Sequence, residues 1–118
     1  MPSHILIADD DPHIREVICF ALEKAGMKTA AVSDGAAALQ AIARRTPDLV
    51  VLDIGMPEMD GYEVARRIRA MKLPRPPVLI ALTGWGQVSD QRRSRSAGFD
   101  HHVVKPPDIE ALRELLVS

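Results

Sequence analysis

Carboxylates stand where apolar runs stop. The run Ile5-Leu6-Ile7-Ala8 ends in three consecutive acids, Asp9, Asp10 and Asp11. A second run, Leu49 to Leu52, ends in Asp53. A third, over 77–82, is followed by Thr83, and a fourth, over 99–104, by Lys105 and Pro106. Carboxylates brought within a few ångströms repel one another, and a hard divalent cation relieves that repulsion. Mg2+ takes oxygen ligands, keeps several waters and is typically held by one or two carboxylates with phosphate oxygens. A carboxylate can also act as a nucleophile and form an aspartyl-phosphate. Phosphoryl transfer mainly needs positioning and neutralisation of oxygen charge, which a metal, a lysine ammonium and a hydroxyl donor can supply.

Each residue alone has a plainer reading. Asp9, Asp10 or Asp11 could cap a helix that begins at Pro12, a favoured first-turn residue. Asp53 could form a turn, Thr83 by itself is uninformative, and a lysine before a proline is usually solvated. The choice rests on whether the fold brings these strand ends together.

The elements predict that it does. Strand-length apolar runs lie at 4–8, 27–32, 48–53, 77–82 and 99–104. Helical periodicity fills the gaps. Ile14, Val17, Ile18, Ala21, Leu22 and Ala25 share one face, and Gly26 stands where a helix C-terminal glycine belongs. The Ala-rich stretch 35–45 has Leu39 and Ile42 as anchors and closes at Thr46-Pro47. Asp60 with Glu63 resembles a capping pair before Val64, Ala65, Ile68 and Met71. A helix over 87–97 has few apolar positions, so thin packing is expected there, and a last helix over 107–117 buries Ile109, Leu112, Leu115 and Leu116. This alternation reads as one α/β domain over 1–118, a (βα)5 three-layer sandwich around a parallel sheet. In the strand order 2-1-3-4-5, strands 1 and 3 flank the switch point, where sites form at the carboxyl ends of strands. Three carboxylates, a hydroxyl and a lysine then converge on one edge.

Composition excludes other classes. The chain has 118 residues, 47% of them hydrophobic, enough for one core without staples. Its formal net charge is −1, which gives no general electrostatic case for direct nucleic-acid binding. No apolar run approaches the ~20 residues of a membrane helix, so no membrane insertion is expected. The start lacks a charged-then-apolar signal segment, and the one cysteine, Cys19, fits a reducing compartment. The expected location is the cytoplasm, with Cys19 a structural thiol.

The stretches "HILIADDDPHIRE", "PDLVVLDIGMPEMDGYEVARRIR", "PVLIALTG" and "AGFDHHVVKPPDIEALRELL" resemble the receiver domain of bacterial two-component response regulators across essentially the whole chain. The resemblance implies a flavodoxin-like fold and a phosphoryl switch served by Mg2+. It implies Asp53 as phospho-acceptor, Asp10 as a direct Mg2+ ligand, Asp9 acting through water, and the Gly55 backbone carbonyl completing the protein's share of the metal shell. Thr83 is then the switch hydroxyl, and Lys105 contacts a phosphoryl oxygen. Asp11 is left as the capping or solvated member. A histidine kinase or phosphotransfer protein is the implied donor, and an output protein or domain is reached through the face from helix 4 to helix 5. The domain assists its own phosphorylation and hydrolysis and is not an enzyme acting on a separate metabolite.

The sequence departs from the family pattern at three places. His102 stands where a Tyr or Phe switch ring is usual, and an imidazole can carry charge near neutral pH. Gly55 leaves the space beside the acceptor open, and Trp85 puts a large indole two residues past Thr83. Adjacent strand residues face opposite ways, so His101 and His102 cannot share a metal. Arg92, Arg93 and Arg95 read equally as a docking patch or a solvated face. An aspartate-nucleophile phosphatase of the haloacid-dehalogenase type would need an acid where Gly55 stands. A pseudo-receiver that only binds proteins would not need the acid pair, acceptor, threonine and lysine together. The segment from Ala81 to Pro106 also resembles receivers of hybrid histidine kinases, so a stand-alone regulator and a domain of a larger kinase both stay open.

Overall fold

The computed structural model describes residues 4–84 and 91–104. Five parallel strands form one sheet in the order β2-β1-β3-β4-β5. They are β1 (His4–Ala8), β2 (Lys28–Val32), β3 (Leu49–Asp53), β4 (Val78–Thr83) and β5 (His101–Val104). The helices between them are α1 (Pro12–Lys24), α2 (Gly35–Arg44), α3 (Gly61–Ala70) and α4 (Gln91–Ala97). The expected helix over 107–117, the start of the expected fourth helix at 87–90, Trp85, Lys105 and Pro106 lie outside the described residues.

Side chains alternate across the sheet and make two cores. Leu6, Ala8, Val50, Leu52, Leu79 and Ala81 pack with Ala38 and Ile42 of α2, Val64, Ala65 and Ile68 of α3, and Ala97 of α4. Ile5, Ile7, Val51, Ile80, Leu82 and Val103 face the other way and pack with Ile18 and Leu22 of α1. Every residue of the central strand β3 is buried, as its unbroken apolar run requires of a strand covered on both faces. β2 is an edge strand, and three of its five residues are exposed.

The helix ends follow local chemistry. Asp11 caps α1, its Oδ1 accepting from the His13 N–H at 2.9 Å. At the other end Gly26 has φ +89°. The Gly26 N–H donates to Glu23 O at 3.0 Å and the Met27 N–H to Leu22 O at 3.1 Å, the paired bonds of a Schellman turn. Asp60 caps α3 through the Glu63 N–H at 2.9 Å. That helix ends at Ala70, short of the expected Met71, because Lys72 turns left-handed at φ +50°. On α1 the expected buried face is wider than the real one: Ile18 and Leu22 are buried, but Val17 and Ala25 are exposed. In α4 the side chains of Ser94 and Ala97 are buried and those of Arg92, Arg93, Arg95 and Ser96 exposed, the thin packing its sequence predicts.

Candidate functional site

Sheet register builds the site. Ala8 pairs with Leu52, so the next residues on each strand, Asp9 and Asp53, sit side by side at the carboxyl edge. Asp53 pairs with Leu82, which puts Thr83 one step beyond it on the adjoining strand. Asp9 is wholly buried, Asp53 is 3% exposed and Thr83 2%. Asp10 is exposed. One carboxylate oxygen from each of Asp9, Asp10 and Asp53 lies within 4.8 Å of the others. The strand ends named from the sequence therefore meet, and Lys105, next after β5, lies outside the described residues.

The two buried acids are held by short bonds. The Asp9 N–H donates to Val32 O at 3.2 Å, continuing the β1–β2 ladder past the strand end. Asp9 Oδ1 accepts from the Asp11 N–H at 2.9 Å. Asp53 Oδ1 accepts from the Gly55 N–H at 2.9 Å, which fixes this carboxylate against its own loop. Gly55 itself is exposed. The Thr83 hydroxyl donates to Val103 O across β5 at a long 3.5 Å, a bond at the limit of significance and readily exchanged.

The donor set suits a hard cation. Three carboxylates offer oxygen and no nitrogen or sulfur, which selects Mg2+ or Ca2+ over zinc. Opposite ligands of an octahedral Mg2+ are about 4 Å apart, close to the observed spread. Gathering three acids at one edge without a cation leaves like charges facing one another. Residues 9, 10 and 53 therefore fit Mg2+.

His102 pairs with Ala81, which puts its side chain on the α3–α4 side of the sheet. Val103 belongs to the opposite core, so the alternation that separates the His101 and His102 rings is present. The His102 ring lies 6.4 Å from that of Phe99. Burial lowers its pKa from the ordinary 6.5, and the nearby His101 and Arg95 lower it further. Both effects disfavour the charged form of this imidazole.

Two residues at the site escaped the sequence reading. Arg15 donates from Nη1 to the backbone carbonyl of Asp9 at 2.7 Å. Gly61 packs its Cα against the end of β3, where an added Cβ would stand 2.7 Å from Asp53 O. The Arg15 contact carries no local signal, since one arginine in an amphipathic helix looks like any other. The Asp60-Gly61 pair was visible, but as a cap.

The sequence profile of the response regulator receiver domain matches residues 5–117. This chain belongs to that family. It is 38% identical over 112 residues to the response regulator MprA of Mycobacterium sp. (strain KMS), covering 95% of this chain and 48% of that one. It is equally 38% identical to an uncharacterized 14.6 kDa protein of Leptolyngbya boryana, over 92% of this chain and 84% of that protein. Among solved structures, the receiver resembles the Vibrio cholerae chemotaxis protein CheY4 with a TM-score of 0.91 at 25% identity, covering 99% and 98% of the two chains. It also resembles the receiver domain of a signal transduction histidine kinase from Syntrophus aciditrophicus, with a TM-score of 0.84 at 32% identity, covering 98% and 87%. The receiver spans about half the length of most curated regulators it matches, MprA among them. It is a signalling domain of the two-component type with the flavodoxin-like fold.

Proposed function

We propose that this receiver, taken as one domain over 1–118, accepts a phosphoryl group on Asp53 from a histidine kinase or phosphotransfer protein. The observation that carries the reading is the meeting of Asp9, Asp10 and Asp53 within 4.8 Å at the switch point of the sheet. In the transfer an Asp53 carboxylate oxygen bonds to phosphorus as the donor's N–P bond breaks, and the donor imidazole leaves with that electron pair. Asp10, Asp53 and the Gly55 carbonyl would hold Mg2+ directly, with Asp9 acting through water. When bound, the ion neutralises charge on the phosphoryl oxygens. The Gly55 N–H keeps the Asp53 carboxylate oriented. Thr83 exchanges its long bond to Val103 O for a phosphoryl oxygen, and Lys105 takes another. His102 is the ring that answers Thr83, and the face from helix 4 to helix 5 carries the change to an output protein or domain.

The donor's seat is on α1. That helix starts directly after Asp11 and shows Phe20 at 63% exposure and Val17 at 38%. With His13, Glu16 and Ala21 they line a shallow depression of about 480 Å³. Large exposed apolar side chains on the helix that follows the acid pair suit a protein donor. Among the described residues no helix is long and apolar enough to cross a membrane, and we place the domain in the cytoplasm, where histidine kinases act. The reading holds for a stand-alone regulator and for a domain of a hybrid kinase.

Intact-mass measurement after incubation with acetyl phosphate tests it. Wild type gains one phosphoryl group only with Mg2+, and Asp53→Asn gains none. An adduct that persists in Asp53→Asn means another acceptor. No wild-type adduct, together with no beryllofluoride binding, means a pseudo-receiver.

A further inference from the structure

The loop that carries the acid pair is pinned from outside its own turn. Asp9 is held by its N–H on Val32 O at 3.2 Å and by its Oδ1 under the Asp11 N–H at 2.9 Å. Its carbonyl is held by Arg15, whose Nη1 reaches back from the first turns of α1 to 2.7 Å. A charged donor on a carbonyl is the strongest class of bond available to that atom. Arg15 is half-buried, and its own N–H closes the helix on Asp11 O at 3.1 Å. The peptide that Arg15 grips is the one joining Asp9 to Asp10. Asp10 is exposed, so its direction is set through this peptide.

A guanidinium beside a cation site is otherwise out of place. By Coulomb's law alone it opposes a divalent ion. It earns its position only if fixing the loop gives more than the repulsion takes. We infer that Arg15 is a positioning residue of the cation site, holding the Asp9–Asp10 peptide in the orientation that Mg2+ requires. The inference rests on the reading of the acid cluster as a Mg2+ site. Ligands fixed before the ion arrives need no ordering on binding, which raises affinity.

The two effects of Arg15 have opposite signs, so one substitution separates them. Arg15→Gln removes a positive charge near three carboxylates. Charge alone makes Mg2+ bind more tightly; loss of the pin makes it bind more weakly. Arg15→Lys keeps the charge and one donor on a flexible stem. The experiment is calorimetric titration of Mg2+ into the full chain for wild type and both variants, with a Mg2+-free melting curve for each. Glutamine is a good helix former, so the fold survives at this half-exposed position. We expect Arg15→Gln to weaken Mg2+ at least threefold and Arg15→Lys to stay within twofold of wild type. Unchanged or tighter binding by Arg15→Gln overturns the inference, and so does an Arg15→Lys variant as weak as Arg15→Gln. Wild type that shows no Mg2+ binding at all overturns the reading of the acid cluster itself, a result distinct from either.

Discussion

His102 shows how much one side chain's surroundings decide. Its ring ends a column of four side chains drawn from α4, α3, the turn after α4 and β5. Arg93 of α4 stands 4.2 Å over the Tyr62 ring of α3. Tyr62 meets Phe99 edge-on at 6.1 Å, and Phe99 meets His102 on β5 at 6.4 Å. Such contacts connect α4 to the strand beside Thr83. His102 Nε2 is buried and, among the described residues, has no hydrogen-bond partner, so protonating it there is unfavourable. The folded pKa lies below 6.5 through burial first, then His101 and Arg95. The unfolded chain therefore binds more protons than the folded one as pH falls from above 6.5 toward the folded pKa. Stability is full above 6.5 and declines through that window. His4 acts in the same direction, lowered by burial and then by Arg45. Urea midpoints at pH 7.5 and 5.5 will fall for wild type, and His102→Phe will lose less. An equal fall in that variant assigns the effect to His4 instead.

At the scale of elements, the caps and the order of strands were legible because they are local. Asp11, Gly26 and Asp60 do what their types and spacing imply. Two features were not local. β5 begins at His101 rather than 99, because the Phe99 N–H completes the end of α4 on Ser94 O at 3.0 Å. Asp100 then turns aside, its Oδ2 taking the Leu79 N–H at 2.9 Å and Arg69 Nη2 at 3.0 Å. Periodicity also could not say what covers α1, so Val17 and Ala25 were placed inside. Phe20→Ala will leave stability nearly unchanged, since little burial is lost, yet slow transfer from a phosphohistidine donor protein far more than transfer from acetyl phosphate. Equal slowing with both donors removes α1 as the seat. Gly61→Ala tests the close approach of α3 to the Asp53 backbone. Its Cβ would stand 2.7 Å from both Asp53 O and Ile54 Cα, which are backbone atoms that cannot swing away. Overpacking of this kind costs about 1–3 kcal/mol. At Gly35 the nearest atom, at 2.6 Å, is a Val64 methyl, so Gly35→Ala will cost less in the same urea unfolding series.

Across the whole molecule, a net charge of −1 conceals a strong division. Residues 61–97 hold eight Lys and Arg against two acids, while the rest of the chain holds seven against fourteen. The acids at the carboxyl edge are part of that negative share, and folding forces three of them within 4.8 Å. Nothing in core packing demands this, and each acid added to the cluster adds repulsion that a divalent cation relieves. A site built for function at the expense of stability has a signature. Asp10→Asn relieves repulsion without disturbing the buried Asp9 or Asp53. In the absence of Mg2+ it will melt above wild type. Mg2+ at ten times its dissociation constant stabilises a one-site protein by about 1.4 kcal/mol, roughly 5 °C for a domain of this size. Wild type will gain that increment and Asp10→Asn most of none, so their order of melting temperatures will reverse. Raising the ionic strength will shrink the Mg2+-free difference, because Asp10 is exposed and its repulsion is screened. If Asp10→Asn melts below wild type without Mg2+, the acids hold the edge together rather than strain it, and the assignment of Asp10 as a ligand kept for the ion fails.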